Sequence, residues 1–568
     1  MGDEEQEVGI SDVQVYLPAL RVSAEDLAKA RGTDTAHYTD GFGVKTFAIP
    51  NVDEDIATMG ANAAIKVVER NKIDPHSVNL RCATESALDD SKPFITYVME
   101  PLEIRFGKAF CFSIPAETKF ACVGGMKEVK DALYAAKAVG EKSLIVTSDH
   151  AKYDLNSNCE PTSGAGGSAI LVEPDPKLLA VDLRTIKFFT MPEYDFYKPK
   201  FKANQAGLKE SVRNHMGEVG GVIYGKDTPF VNGKYSEMAY EFVIYNVYAQ
   251  IEKEIGKSVF EEVDQIAVHT PSVKVAKKAF ADILVHHLKR KNGDEWKEMM
   301  KAVKQITSLE NQKDGKKPVI AKEPLLNGLK TFHDSLDVIL TFAKVKEALE
   351  RDKKSVLSGD AKETQSIVHN LIKLNDKLGK SHPELWVLTA WHFTANKSDA
   401  LNVLKPLEAE INQFINERKA FVSAIMKTSQ YKEASMKKAV SSHKISSYAG
   451  NGYTSSVMFS TVSMLTEEQK AGKDLVGKKV LVIGYGSGAG GVGFIGTVKE
   501  GIRDYAASTD TSFTEKGTNI SVKMYEELHR GELKVPVPEN ENKDKVVTLG
   551  AIFRDGKRSY NVKARQIA

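Results

Sequence analysis

Short apolar, β-branched runs alternate with helical patterns through the first 180 residues of the chain. "VGISDVQVYLP", "KSLIVTSDHA" and "GSAILVEPDP" read as strands, and "SAEDLAKARG" reads as a short helix capped by Ser23 and stopped by a glycine. This alternation predicts a mainly parallel α/β sheet. The same texture returns in "FEEVDQIAVHTPSVKVAKKAFADIL" and in "GKKVLVIGYGSGAGGVG". Between them it changes. Only four of the 41 glycines (Gly315, Gly328, Gly359, Gly379) lie between residues 300 and 449, while all three tryptophans (Trp296, Trp386, Trp391) lie in or at the edge of this tract. "FHDSLDVILTFAKVKEAL", "TQSIVHNLIKLNDKL" and "LEAEINQFINERKAFVSAIM" carry apolar residues at three- and four-residue spacing, so the tract reads as amphipathic helices inserted into an α/β fold. A length of 568 residues accommodates several domains or one large duplicated fold.

Charge and cysteine usage narrow the function classes. With 78 basic against 76 acidic residues, the chain has no broad electrostatic surface for nucleic acid. Four cysteines (Cys82, Cys111, Cys122, Cys159) without paired spacing read as reduced thiols and suggest neither a disulfide framework nor a zinc site. "MGDEEQEV" lacks the basic and apolar regions of a signal peptide, and no apolar run reaches membrane-spanning length. A soluble cytoplasmic protein is expected.

The chemistry centres on "IPAETKFACVGGMKEVKDAL", where Cys122 stands before two glycines at the expected start of a helix. Unpaired backbone N–H groups at a helix N-terminus favour thiolate over thiol, which would make Cys122 a nucleophile. Free cysteines are also among the most buried residue types, so a core role is the competing reading. Three further places carry polar residues in suggestive settings: Glu85 after a short apolar run in "RCATESALDDSKP", His269 at the end of an apolar strand in "QIAVHTPSVK", and Asn451 between glycines in "SSYAGNGYTSSVMF". Each also has a bland reading, as a solvated acid, a hydrogen-bonded structural histidine or a turn asparagine. The loop "VLVIGYGSGAGGVGF" has glycines in dinucleotide-binding spacing with Asp504 about twenty residues on, but lacks the following βαβ pattern. Its other use is to aim backbone N–H groups at an oxyanion, or to let a strand pass close to a catalytic thiol.

In chain order, "AHYTDGFGVKTFAIPNVDEDIATMGANAA", "ATESALDDSKP", "ETKFACVGG", "DLNSNCEPTSGAGGSAIL", "YDFYKP", "FVNGKYS", "HTPSVKVAKKAF", "GNGYTSSV" and "YGSGAGG" resemble the hydroxymethylglutaryl-CoA synthase family of the thiolase superfamily, with archaeal and bacterial members as the nearest in kind. The resemblance implies a duplicated thiolase-like five-layer αβαβα fold. One half comprises residues 1–180, the other residues 181–294 and 411–568, with a helical insertion at 295–410. It implies condensation of acetyl-CoA with acetoacetyl-CoA and water to 3-hydroxy-3-methylglutaryl-CoA in the mevalonate route, without cofactor or metal. Cys122, held as thiolate by its helix and a nearby histidine, would carry the acetyl group. Glu85 would take the methyl proton, and His269 would polarise the acetoacetyl ketone and protonate the alkoxide, with Asn451 orienting that group. Backbone N–H groups of Cys122 and Ser487 would form the oxyanion hole. Lys274 and Lys278 match positions that contact CoA, and Asp34, Thr35, Asn158, Thr162 and Phe196 match other substrate contacts.

The chain departs from the family in two places. An aromatic residue commonly follows the nucleophile, and Val123 in its stead is expected to change the fit of the acyl pocket. The insertion has no family counterpart, and is expected to fold as a compact helical subdomain that either docks an acetoacetyl-CoA thiolase through a bridging protein or covers the body. A homodimer is implied, with no nucleic acid or membrane partner. The alternatives are a ketoacyl synthase, which needs no carboxylate base, a β-branching enzyme acting on carrier-bound substrates, and a non-catalytic scaffold.

Overall fold

The structure, a computed structural model, describes residues 6–108, 110, 113, 115–198, 201–202, 216–219, 222–225, 227–231, 233–313, 412 and 415–564. Ten strands form its central sheet: β1 (Val8–Tyr16), β2 (Asn79–Ala83), β3 (Ala116–Thr118), β4 (Ser143–Ala151), β5 (Gly164–Pro174), β6 (Leu179–Val181), β7 (Lys187–Thr190), β8 (Gln265–Val268), β9 (Lys479–Gly486) and β10 (Gly490–Val498). They run in the order β8-β9-β10-β6-β1-β5-β4-β2-β3, with β7 beside β10. The sheet is mixed, which corrects the expectation of a mainly parallel one. β2 is parallel to β3 and β4, and β8 to β9, but β1, β5, β6, β7 and β10 all pair antiparallel. Hairpin-like links such as β4–β5 and β9–β10 need no crossover helix, and alternation in sequence does not distinguish them from βαβ units.

Two-residue periodicity along the strands sorts their side chains into separate cores. Ile145 joins a core made by helices α2 (Gly124–Val139) and α5 (Ser456–Lys470), while its neighbours Leu144 and Val146 join the core under α1 (Ile56–Asn71). In the other half Ala267 faces α2 and α5, while Ile266 and Val268 pack with α3 (Gly233–Ile255) and α4 (Val273–Lys291). Helices α2 and α5 are therefore sandwiched between two halves of sheet, each covered outside by helices. This is the five-layer arrangement, and it explains why all nine residues of β1 are buried.

Local chemistry sets the boundaries. Ser23 accepts from the N–H of Asp26 at the start of helix Ala24–Ala30, as expected from the sequence. Asp55 and Thr58 form a reciprocal capping box at the start of α1. The glycine loop after β9 turns straight into β10, so it is a hairpin and the dinucleotide reading is excluded. Of the expected insertion, residues 314–411 lie outside the described residues, apart from which helix Asp294–Lys313 precedes the gap and Trp296 packs against the α3–α4 core. Among the described residues no helix is long and apolar enough to cross a membrane.

Candidate active site

The chain leaves β3 and turns into α2 through Ala121, whose φ of +41° is left-handed, and Cys122 follows directly. Two glycines are required here by close backbone approach. A Cβ on Gly125 would come 2.8 Å from the carbonyl oxygen of Thr454, and one on Gly486 would come 2.4 Å from the backbone nitrogen of Val123. The first contact seats the Asn451 loop on the start of α2, and the second seats the glycine hairpin on the nucleophile turn. Residues far apart in sequence thereby converge. Cys122, His269, Asn451 and Ser487 open onto one cavity of about 1210 Å³, with Lys274, Asn158, Thr162 and Phe196 also on its walls.

Glu85 lies against Cys122, whose thiol donates to its Oε2 at 3.2 Å. The other carboxylate oxygen of Glu85 is buried without a hydrogen-bond partner. Burial, with Asp149 and Asp195 nearby, pushes the Glu85 carboxyl up to about 7, opposed by the charge of Lys198. That is a base poised near neutrality. The Cys122 thiol is pushed well above its usual range, first by burial and then by Glu85. This corrects the expectation that the helix start and a histidine hold a thiolate at rest. His269 is 1 % exposed, and burial drives its imidazole down to about 3, so the ring is neutral and supplies no positive charge. Its Nδ1 is buried without a partner. The backbone holds the ring in place: the N–H of His269 donates to Ile483 at 2.8 Å, and its carbonyl accepts from the Tyr240 hydroxyl at 2.6 Å.

Two buried carboxylates that the sequence reading passed over hold the site together. Asp149 of β4 accepts through Oδ1 from the backbone N–H of Glu85 at 2.7 Å and of Ser86 at 2.9 Å, and from the Thr84 hydroxyl at 3.0 Å. Its Oδ2 accepts from the N–H of Thr454 at 3.0 Å and from the Thr454 hydroxyl. One side chain thus ties the Glu85 loop to the Asn451 loop. Asp195 accepts from the Tyr485 hydroxyl at 2.7 Å and from the N–H of Gly488 at 2.9 Å, anchoring the hairpin that carries Ser487. Both are 0 % exposed. An acid within the apolar run "IVTSDHA" was the available sign for Asp149. Replacing Asp149 by Ala removes the acceptor of five hydrogen bonds, three of whose donors keep a second acceptor, and is expected to cost about 3–5 kcal/mol, read as a lowered melting temperature together with weakened coupling of both loops.

Other expected residues are placed differently. Asp34 caps the helix Thr35–Thr39, accepting from the N–H of Ala36 at 3.1 Å, and the carbonyl of Thr35 accepts from the Thr39 hydroxyl at 3.2 Å. Neither Asp34 nor Thr35 is on the cavity wall, whereas His37 of the same helix is. Lys278 pairs with Glu237 and lines a separate recess beside Arg418, leaving Lys274 as the lysine of α4 that faces the cavity. Val123 is fully buried in the central core and is not on the cavity wall, so the exchange of an aromatic for valine here is a matter of packing against the hairpin. The rings of Tyr153, Tyr453 and Phe196 meet edge to face on the wall, with centroids 5.7–6.4 Å apart.

Comparison with known proteins agrees with this geometry. The family model for the N-terminal part of hydroxymethylglutaryl-coenzyme A synthase matches residues 4–177, and that for the C-terminal part matches residues 384–527, together more than half of the chain. Cys122 and Glu85 fall in the first, Asn451 and Ser487 in the second, and His269 between them. Similar curated proteins include the hydroxymethylglutaryl-CoA synthases of Haloferax volcanii, 33% identical over 245 residues (42% of this chain, 54% of that protein), and of Enterococcus faecalis, 30% identical over 277 residues (48% and 63%). The chain spans between half and two thirds of the length of these relatives. Among solved structures, MvaS in complex with 3-hydroxy-3-methylglutaryl coenzyme A superposes with a TM-score of 0.62 at 22% identity, covering 98% of this chain and 99% of that one. The HMG synthase of the curacin biosynthetic pathway in complex with acetyl donor-ACP does so at 0.61 and 16% identity, covering 98% and 100%. These likenesses show the fold. With both halves matched in order and the nucleophile turn, the glycine hairpin and the asparagine loop meeting at one cavity, the chain belongs to the hydroxymethylglutaryl-CoA synthase family.

Proposed function

We propose that the protein condenses acetyl-CoA with acetoacetyl-CoA and water, giving 3-hydroxy-3-methylglutaryl-CoA and free CoA. The observation that carries this reading is the Cys122–Glu85 hydrogen bond, which sets a near-neutral base behind a nucleophile that opens onto one cavity with His269 and Asn451. In the first step the Cys122 sulfur attacks the thioester carbonyl of acetyl-CoA and CoA leaves, taking up as its thiol the proton that Cys122 gives up, while the oxyanion is met by the backbone N–H groups of Cys122 and Ser487. Glu85 then removes a proton from the acetyl methyl group, and the resulting carbon attacks the ketone of acetoacetyl-CoA. His269, neutral, polarises that ketone and donates a proton as the alkoxide forms, while Asn451 orients the group. Water finally cleaves the enzyme thioester. The reading invokes no cofactor or metal in these steps. Lys274 is the lysine proposed to meet CoA, with Asn158, Thr162 and Phe196 along the acyl path. Asp34, Thr35 and Lys278 lie off the wall of this cavity and are given no part in these steps. Kinetics with acetyl-CoA and acetoacetyl-CoA, followed by loss of the acetoacetyl enolate absorbance, tests the reading, and a preference for carrier-bound acetyl groups would overturn it in favour of a β-branching enzyme.

The unit is proposed to work as a cytoplasmic homodimer, with halves 1–180 and 181–294 plus 411–568 around an insertion at 295–410. Edge strand β3 pairs only with β2 among the described strands, leaving an outer edge for a second copy. The insertion is proposed to dock an acetoacetyl-CoA thiolase through a bridging protein. Light scattering of the full chain and of a variant with residues 300–410 replaced by a short linker is expected to give a dimer in both, with thiolase association lost in the second.

A further inference from the structure

Behind Cys122, which stands on the cavity wall, negative charge gathers. Glu85 faces Asp149 and Asp195, both buried, together with the thiol that must become a thiolate. Burial penalises each of these anions. His269 is neutral and does not balance them. The one cation acting on both Glu85 and Cys122 among the described residues is Lys198.

Its position is built, not incidental. Lys198 follows the short strand Phe196–Tyr197, which pairs antiparallel with Phe230–Val231, Tyr197 opposite Phe230. The two rings of that pair stack with centroids 5.5 Å apart and planes 22° from parallel, which fixes the backbone just before Lys198. The ammonium then lies 5.3 Å from the Tyr453 ring centroid and 5.8 Å from that of Phe196, two rings on the cavity wall. A ring face holds a cation without neutralising it, whereas a partner carboxylate would cancel its field. Lys198 is held by rings, and no carboxylate within ion-pair distance pairs with it among the described residues.

We propose that Lys198 is a positioning residue of this site: its ammonium, seated on the Tyr453 and Phe196 rings that pack with Cys122, is the fixed positive charge that lets Cys122 work as thiolate and Glu85 as carboxylate beside the buried Asp149 and Asp195. The groups facing the pair are Asp149 from β4, Asp195 from the segment before Phe196, and the phenols of Tyr153, Tyr453 and Tyr485, none of which supplies positive charge. Removing the ammonium therefore leaves both anions opposed by burial and by like charge, with no cation to offset them among the causes acting on this pair. The consequence for turnover rests on the condensing reading given above, but the consequence for the thiol does not.

The test is the pH dependence of Cys122 alkylation by iodoacetamide, followed on the Cys122 peptide by mass spectrometry in the folded full-length protein. Lys198→Met and Lys198→Gln are expected to move the midpoint upward by on the order of one pH unit, slowing alkylation roughly tenfold at about pH 7.5, while Lys198→Arg stays within about twofold of wild type. Lys198 is partly exposed, and the glutamine variant keeps a polar head at that half-exposed position, so that the test does not depend on methionine alone. Wild-type profiles in both neutral variants overturn the proposal, as does an arginine variant as slow as methionine. The same variants assayed for condensation are expected to show the acid limb displaced to higher pH. A displaced thiol profile in a protein that never turns over the two CoA thioesters keeps the role of Lys198 and removes the synthase reading.

Discussion

Cys122→Ser is expected to leave a folded protein that takes no acetyl group from acetyl-CoA, with turnover down roughly 10⁴-fold or more. The side chain is 7 % exposed and the exchange is nearly isosteric, so the loss reads chemistry and not collapse. A thiol's sulfur is intrinsically nucleophilic and ionises far more readily than a serine hydroxyl, for which the site holds nothing strong enough to make an alkoxide. Incubation with labelled acetyl-CoA and counting of protein-bound label checks this. A serine variant that still labels at the wild-type rate would move the nucleophile elsewhere.

Glu85→Ala separates the two halves of the cycle. Glu85 pushes the Cys122 thiol up, so its removal takes away a charge that opposes thiolate formation, and acetylation is expected to persist. Condensation is expected to fall by roughly 10²–10⁴-fold, the usual worth of a positioned base. In the wild type the condensation rate should show an acid limb near pH 7, a limb that belongs to the hydrogen-bonded pair and not to one residue alone. The same raised carboxyl has a sign in stability. A group whose folded value lies above its unfolded value of 4.5 stabilises fully below that value, and loses this as pH rises through about 7. Glu85→Gln should therefore gain melting temperature at about pH 8 relative to wild type, and gain little at about pH 5. Failure of Glu85→Ala to form acetyl-enzyme would show that Glu85 serves the thiol instead.

Much of this arrangement was legible in the chain because its decisive residues are punctuated locally. Cys122, His269 and Asn451 each stand at the end of an apolar element beside glycine or proline, and the structure brings all three to one cavity with Ser487. Glycine was read correctly as a sign of close approach: Gly486 is pressed against the backbone of Val123. What escaped was what long-range burial decides. The antiparallel pairing of β4 with β5 and of β9 with β10 leaves no trace in strand composition, so the sheet read as more parallel than it is. The protonation of Cys122 depends on Glu85, Asp149 and Lys198, contributed by separate loops and strands, and a helix start alone suggested the opposite sign. Lys278 lies one turn from Lys274 on α4 and would share its face, yet Glu237 of α3 captures it.

The central claim is that Cys122 carries an acetyl group which condenses with acetoacetyl-CoA. The most direct measurement is a single-turnover chase: enzyme acetylated with labelled acetyl-CoA, freed of excess reagent, then mixed with unlabelled acetoacetyl-CoA. Label is expected on the Cys122 peptide before the chase, and in 3-hydroxy-3-methylglutaryl-CoA afterwards. Label on another residue, or label on Cys122 that acetoacetyl-CoA does not remove, would contradict it.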